Sequence, residues 1–377
     1  MKIIRIVFIF ALLLLLTISS NAASYEYIPN NEKTNHEWEA FFQSLPEEIR
    51  RELIPYGDNA LIDIIEKFSL KYYFERFTSE VSQIVPRLFT NFCTSAVIVI
   101  LISITKNFIN IYEAEHLASA TDFCTSLVSV LTVFTMQKGT VDIAGVFLKT
   151  VSNSMKLLIP IIEAALISSG NLTFATVTAS GLNTIIAICE IIYSDVLYPA
   201  VTVVFVISAI ISVTGNKGLS YLINALKVLI TGIIVAIITL VTFIFAIQST
   251  ASVTADNFTL KALRFALGSY VPIVGGAVSE SLTMLKSSFT VIKSFAGITG
   301  IIVILLLCIP PIISLAAGKI NAYLCMALSG ILGCEKISSF YGEINSVYTM
   351  IFAIVLSSVI MFIVALGIIC SINVFWV

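Results

Sequence analysis

Long apolar stretches separated by short polar ones fill the chain after residue 87. A helix of about 20 apolar residues crosses a bilayer, so the pattern predicts an all-α polytopic membrane protein with about seven or eight transmembrane helices. The predicted spans are Leu88–Thr105, Thr121–Met136, Ile143–Ser168, Leu172–Tyr193, Val196–Thr214, Ala225–Ile247, Ile298–Gly318 and Tyr348–Cys370. Asn321–Cys334 is apolar but shorter, and the prediction for it is an interfacial or re-entrant segment.

The N-terminal 22 residues have the order of a secretory signal peptide. Lys2 and Arg5 precede an apolar run, and small residues follow it around Ala22. The run is shorter than a bilayer requires, so cleavage after Ala22 is predicted; an uncleaved first transmembrane helix is the alternative. Either outcome places the following segment outside the cytoplasm.

Residues 23–86 form a predicted acidic, helical, extracytoplasmic head. Residues 24–86 hold 12 acidic and 6 basic side chains. Proline and acids at a helix start favour a helix over Pro46–Leu53, and apolar residues at helical spacing predict a second one over Asp58–Glu80. So small a segment buries little apolar surface alone, and we expect it to pack against the membrane domain, residues 87–377, or against another protein.

Composition excludes two broad classes of protein. The chain is 58% hydrophobic and 12% charged, against about 25% charged in soluble proteins, which excludes an ordinary soluble enzyme. The net charge is −2 with no basic run, so a nucleic-acid partner has no support. Basic residues near the predicted spans place Lys217 on the cytoplasmic side.

Residues 248–294 are too polar for an ordinary span and too apolar for a free loop. Gln248 opens a run of hydroxyl and amide groups, and Asp256 is a candidate cap for a helix that carries Lys261 and Arg264 on one face. Pro272 and the pair Gly275-Gly276 then break that helix. Two interpretations stay open: a re-entrant element beside a cavity, or an amphipathic helix in the outer interface.

The same stretch resembles the stage III sporulation protein AE family of endospore-forming bacteria. The resemblance rests on Gln248-Ser249-Thr250, Ala255-Asp256, Lys261, Arg264-Phe265, Tyr270-Val271-Pro272 and Gly275-Gly276. A signal peptide, an acidic head and a polytopic body in that order agree with it.

The resemblance implies a non-enzymatic membrane component of a channel or secretion-like complex between mother cell and forespore. That complex sustains forespore development and late sigma-factor activity. Its implied partners are other stage III sporulation membrane proteins, a separate ATPase subunit, a forespore-membrane protein and the lipid bilayer. The implied location is the mother-cell membrane around the forespore, with the head outside the cytoplasm.

Glu163 is the most informative ionisable residue of the predicted spans. Charged groups inside a membrane are costly and usually face a cavity or a partner; Glu163 is a candidate to pair with Lys156 or to line a path for solutes. Glu190 and Asp195 are expected at an interface. These carboxylates support the rival hypothesis, a stand-alone secondary transporter with a site near Glu163 and residues 248–280.

No pattern predicts a catalytic, cofactor or metal site. The seven cysteines form no Cys-x-x-Cys pair, and neither a phosphate-binding loop nor a nucleophile–base set is present. Small residues allow membrane helices to approach closely, and Gly297 and Gly300 are the predicted contact of this kind. Pro310-Pro311 is predicted to kink its span.

Overall fold

In the computed structural model of the chain, the described residues are 32–53, 68, 70–111, 115–168, 172–214, 218–237, 239–240, 243 and 275–371. They contain helices and turns but no strand. The helices are α1 Glu32–Ser44, α2 Glu47–Leu53, α3 Leu70–Ile111, α4 Glu115–Ser168, α5 Leu172–Cys189, α6 Tyr198–Thr214, α7 Gly218–Ile237, α8 Gly275–Ile331 and α9 Glu335–Ser371. A π-helix, Glu190–Leu197, joins α5 to α6.

Six helical stretches in this part of the chain are long and apolar enough to cross a membrane. They lie in α3, in α4, along α5 and α6 together, and in α7, α8 and α9. The predicted all-α, polytopic membrane fold class is therefore confirmed. The signal peptide, residues 1–22, lies outside the described residues.

Four of the predicted spans form two continuous helices. The spans Thr121–Met136 and Ile143–Ser168 are both parts of α4. The polar residues between them lower the local hydropathy, but a single glycine there costs a helix only about 1 kcal/mol. The predicted break in the helix between these two spans is therefore wrong.

The predicted spans Leu172–Tyr193 and Val196–Thr214 likewise form one continuous run of helix. The break implied between these two spans is wrong: Asp195, which stands between them, lies inside the π-helix. Residues 182–214 contain no glycine, and their one proline, Pro199, stands at the start of α6. A wider helical turn can therefore form where a chain reversal was expected.

The helix α8 extends further than its predicted span. It continues through Pro310-Pro311 to Ile331, so most of Asn321–Cys334 is the end of one continuous helix and a separate re-entrant segment there is wrong. The backbone then reverses within three residues. The N–H of Cys334 donates to the carbonyl of Ser329 and the N–H of Gly333 donates to that of Gly330. Gly333 has a φ of 72°, the left-handed conformation in which glycine commonly ends a helix.

The hairpin of α8 and α9 forms the core of the bundle. In their most apolar windows, 78% of the α8 positions and 72% of the α9 positions are buried inside the protein. The helices α3, α4, α5 and α6 pack around this pair. α3 and α7 are more exposed, with 22% of each window buried.

α3 and α4 run in opposite directions, as do α4 and the α5–α6 run, and α8 and α9. At one end of the bundle, Ser103 of α3 donates to the carbonyl of Leu332, and Lys336 pairs with Asp122. We call this the turn end, because α8 reverses into α9 there. The other end, the head end, holds the start of α3, the end of α4 and the start of α5.

The two head helices pack against the bundle, as expected from their size. α1 contacts α4, and α2 approaches α8. Phe41 of α1 and Leu53 of α2 are buried in the same apolar core as α8 and α9. Arg76 of α3 anchors α2 by ion pairs to Glu48 at 3.0 Å and Glu52 at 3.2 Å.

α1 is the first helix that the structure describes. The sequence pattern did not predict it. Glu47–Leu53 agrees with its prediction, and residues 54–67 lie outside the described residues. α3 continues without interruption through Pro86, so the division into a head and a membrane domain near residue 86 stays a prediction.

Candidate functional site

Four charged residues of α4 lie about two helical turns apart, at every seventh position of the sequence. They are Asp142, Lys149, Lys156 and Glu163. Because an α-helix repeats every 3.6 residues, they share one face of α4. The first three are exposed and Glu163 is half-buried. We call this set the charged ribbon; it extends over about 32 Å of helix axis.

The ribbon continues onto the neighbouring π-helix. The ammonium group of Lys156 pairs with the carboxylate of Glu190, the first residue of the π-helix. The partner proposed from the sequence, Glu163, is therefore replaced by a residue of the next helix. The side chains of Lys156 and Glu190 are 44% and 38% exposed, so solvent weakens this pair.

The π-helix itself fixes the second row of charges. The N–H of Tyr198 bonds to the carbonyl of Tyr193, five residues back. Asp195 is exposed within it. At its end, the hydroxyl of Tyr198 donates to the carbonyl of Val141 at 3.2 Å, beside Asp142. Segments of π-helix occur frequently at functional sites, and this one places Glu190 next to the ribbon.

A second ion pair joins α7 to α9. Lys227 lies 2.9 Å from Glu343, and their side chains are 22% and 28% exposed. Sequence reasoning missed this pair. Lys227 lies near the predicted start of an apolar span, and a lysine there indicates that it needs a partner. That partner is 116 residues away and cannot be identified by spacing.

Gly297 and Gly300 are both buried. A methyl group on Gly300 would come within 2.8 Å of side-chain carbons of Leu158 and Leu366. The close approach at Gly300 is therefore between α8, α4 and α9 of the same chain. Its neighbours Leu158 and Leu366 also line a small apolar cavity.

The remaining predicted site residues are not brought together by the described structure. Gln248, Asp256, Lys261, Arg264 and Pro272 lie outside the described residues. Gly275 and Gly276 are the first described residues of α8, and the predicted break at Pro272 stays a prediction.

The charged groups lie at the surface of the bundle and its centre is apolar. In the described part of the chain, no three His, Cys, Asp or Glu side chains gather as metal ligands would. Apart from tyrosines, the buried polar side chains there are hydroxyls of serine and threonine and one asparagine. The arrangement is suited to polar contacts made outward from the bundle.

Comparison with known proteins identifies the family. The model of the family described as "Stage III sporulation protein AE" matches residues 59–373, which are most of the chain. The chain belongs to the stage III sporulation protein AE family. Stage III sporulation protein AE of Bacillus subtilis strain 168 is 20% identical over 224 residues, which are 59% of this chain and 56% of that protein. The matched region thus spans little more than half of the relative. No solved structure matches the chain.

All ten of the predicted site residues fall inside the region that matches the stage III sporulation protein AE family, as do the charged ribbon and the Lys227–Glu343 pair. The head helices α1 and α2 precede it. Membership in the family gives the protein a sporulation-related role at a membrane. It does not specify what the charged surfaces of the chain contact.

Proposed function

We propose that this protein is a non-enzymatic, multi-pass component of a channel or secretion-like complex that links the mother cell and the forespore. It acts in the mother-cell membrane around the forespore, with its head outside the cytoplasm. It supports forespore development and late sigma-factor activity. Its partners are other stage III sporulation membrane proteins, a forespore-membrane protein and a separate ATPase subunit.

The match to the family over residues 59–373 carries this proposal. The distribution of charge supports it. A carrier needs polar groups around a substrate within the bundle, whereas the ribbon of α4 lies on the outside of this one.

The test compares two carboxylates of the same surface. In a complex component, Glu163→Gln keeps the shape of the side chain and removes a costly charge, so spore yield stays close to that of the wild type. Glu190→Gln is the matched control on the π-helix. An affinity-tagged wild-type chain should retain other sporulation membrane proteins through purification from sporulating cells.

A transporter gives a different result. Its coupling carboxylate must change charge during the cycle, so Glu163→Gln would abolish spore formation while every partner still co-purified. That outcome, with Glu190→Gln tolerated, would replace the proposed function with the secondary transporter. A wild-type chain that co-purifies with no other sporulation protein would also contradict the proposal.

A further inference from the structure

The exposed large apolar side chains of the bundle are concentrated in its turn-end half. α3 exposes them from Phe89 to Phe108, and α4 exposes them from Phe123 to Phe134. The neighbouring helices expose Val203, Val206 and Ile210 on α6, Tyr221, Leu222, Val228, Leu229 and Val235 on α7, and Ile320, Tyr323, Leu324 and Ile331 on α8. We call these side chains the apolar belt. An exposed apolar surface of this extent marks a contact with lipid or with protein.

Side-chain contacts place these segments of different helices at the same height in the bundle. The hydroxyl of Ser95 in α3 lies 3.7 Å from the sulfur of Met136 in α4. The rings of Phe134 in α4 and Phe205 in α6 stack with their centroids 5.5 Å apart. The ion pair between α7 and α9 lies about two turns into α9, in the same layer. The belt is therefore one band around the turn-end half of the bundle.

Charged residues bound the belt at both edges. At its head-end edge, the guanidinium of the exposed Arg87 lies beside Gly139 of α4. At the turn end, Lys106 lies near the last belt residue of α3, and Lys336 pairs with Asp122. Between Arg87 and Lys106, α3 rises about 28 Å, close to the roughly 30 Å thickness of the hydrocarbon core. The height of the belt and its charged edges thus match acyl chains between two headgroup layers.

The head-end edge of the belt can be followed onto the core hairpin of α8 and α9. Ser95 of α3 lies beside Cys325 of α8, and both helices run towards the turn end. Two helical turns earlier, Arg87 is level with about Gly318. Gly318 lies against the ring of Tyr348 in α9. The edge of the belt therefore crosses the hairpin at Gly318 and Tyr348.

The two predicted spans of the hairpin begin at this edge and run away from the belt. They belong to the candidate spans of highest mean hydropathy, 2.7 each. In Ile298–Gly318 no side chain is exposed, and in Tyr348–Cys370 the exposed ones among the described residues are Thr349 and Ala353. These apolar segments are therefore enclosed by the chain itself and present almost no surface to lipid.

The helices that enclose them are polar on the outside. Beyond the edge of the belt, α4 exposes Asp142, Lys149, Asn153 and Lys156, and α5 exposes Thr176, Ser180, Asn183 and Thr184. The large apolar side chains exposed on α3, α4 and the π-helix in this half are Phe74, Phe77, Val85, Val146, Ile167, Ile191 and Val196. Single apolar side chains are normal on a surface in water, whereas the charged ones would be costly against hydrocarbon.

We propose that lipid surrounds only the apolar belt, and that the other half of the bundle is a water-facing helical body on the head's side of the membrane. We call this half the outer body. Its core is formed by Ile298–Gly318 and the described part of Tyr348–Cys370, and it extends about 30 Å from the belt. The helices that cross the bilayer are α3, the first part of α4, α6, α7, the end of α8 and the start of α9.

This inference goes beyond the proposed function and does not depend on it. The sequence predicts that the hairpin crosses the membrane with its most apolar segments, and the proposal moves the bilayer to the less apolar ends of the same helices. In the proposed orientation, the outer body stands in the space between the mother-cell and forespore membranes.

Two matched pairs of positions test the depth of the bilayer. Ile210 in the belt and Ile191 in the outer body are exposed isoleucines on one helical run, and Leu131 and Ile167 have the same relation on α4. Each is replaced singly by cysteine in a full-length chain whose seven native cysteines are alanine. The cysteine is labelled with bimane, and the purified chain is placed in phosphatidylcholine nanodiscs.

Two quenchers then report what surrounds each label. Phosphatidylcholine with a doxyl group in the middle of its acyl chain should quench bimane at Ile210→Cys and Leu131→Cys. Aqueous iodide should quench it at Ile191→Cys and Ile167→Cys. Quenching of the last two by the doxyl lipid would place the bilayer around the second half of the bundle and overturn the inference. A label there that iodide does not reach would also overturn it, because lipid or protein would then cover the outer body.

A second measurement uses the chain with its native cysteines. Ile210→Asp places a carboxylate, too short to reach the headgroups, against lipid and should lower the amount of chain in the membrane fraction severalfold. Ile191→Asp should leave that amount at the wild-type level, because water solvates the new charge. Equal amounts of the two variants would contradict the proposed depth. The nanodiscs hold this chain alone, so failure of the proposed function, seen as a wild-type chain that retains no partner, is a separate result.

Discussion

Gly318 of α8 lies against the ring of Tyr348 of α9. A methyl group at this glycine would stand 2.6 Å from Cζ of Tyr348 and 2.7 Å from its hydroxyl oxygen. Tyr348 is 1% exposed, so the ring has no open space into which it can turn. A hydrogen side chain at position 318 therefore sets how closely the two core helices approach.

Gly318→Ala should lower the free energy of unfolding by about 1–3 kcal/mol, the usual cost of overpacking a well-filled core. Gly232→Ala is the matched control, since nothing lies within 4 Å of its added methyl group, and alanine favours helix. Thermal unfolding of the purified variants in detergent compares them. Equal melting temperatures for Gly318→Ala and the wild type would show that the hairpin accommodates the methyl group.

The importance of individual glycines was only partly predictable. Small residues in apolar helices indicate close contacts in general, and Gly300 proved to be such a contact, between three helices of one chain. Gly318 carries the shorter contact to a rigid ring, yet the sequence around it offers no sign of Tyr348, which lies on the other helix of the hairpin. A pattern gives the type of residue, and only the packing gives its neighbour.

Among single helices, α7 is joined to the core hairpin of α8 and α9 by the ion pair Lys227–Glu343. α7 buries one stripe, with Ile223 and Ile230 on either side of Lys227, and much of the remainder is exposed. A half-buried ion pair within this stripe fixes the rotation of α7, because any turn about its axis would leave Glu343 without a cation in an apolar setting.

Removing one partner of the Lys227–Glu343 pair should therefore destabilise the protein more than removing both. Lys227→Met or Glu343→Met alone should lower the free energy of unfolding by about 1–2 kcal/mol, less than a fully buried pair would lose, and the double variant should recover most of that loss. Lys156→Met is the matched control at a more exposed pair, where the expected loss is below about 1 kcal/mol. A double variant less stable than either single variant, by melting in detergent, would contradict this account.

Helix type was predictable and helix length was not. Hydropathy windows end at polar residues, so α4 and the α5–α6 run were each divided into two spans. Backbone hydrogen bonds do not depend on side-chain polarity, and both helices continue through these positions. The charges of the ribbon were visible in the sequence one at a time; their common face became apparent once α4 proved continuous.

At the scale of the whole molecule, the head and the turn between α8 and α9 lie at opposite ends of the bundle. Arg76 holds α2 at the start of α3, and Glu335 begins α9 at the turn end. We therefore expect a membrane crossed by α3 to separate these two features.

Accessibility in intact cells tests this orientation. In a cysteine-free chain, Gln43→Cys on the exposed face of α1 should react with an impermeant thiol reagent applied from outside. Glu335→Cys, exposed at the turn end, should react only after the membrane is permeabilised. A reversed result, with Glu335→Cys labelled in intact cells, would place the head in the cytoplasm.

The short reversal at Leu332-Gly333-Cys334 has a consequence for how the chain enters the bilayer during synthesis. With only three residues between them, α8 and α9 leave the ribosome almost together. Lys319 of α8 finds its polar contact, the hydroxyl of Thr349, at 2.9 Å on α9. A lone α8 would present that ammonium group to lipid. The two helices are therefore built to be released into the membrane as one hairpin, already paired.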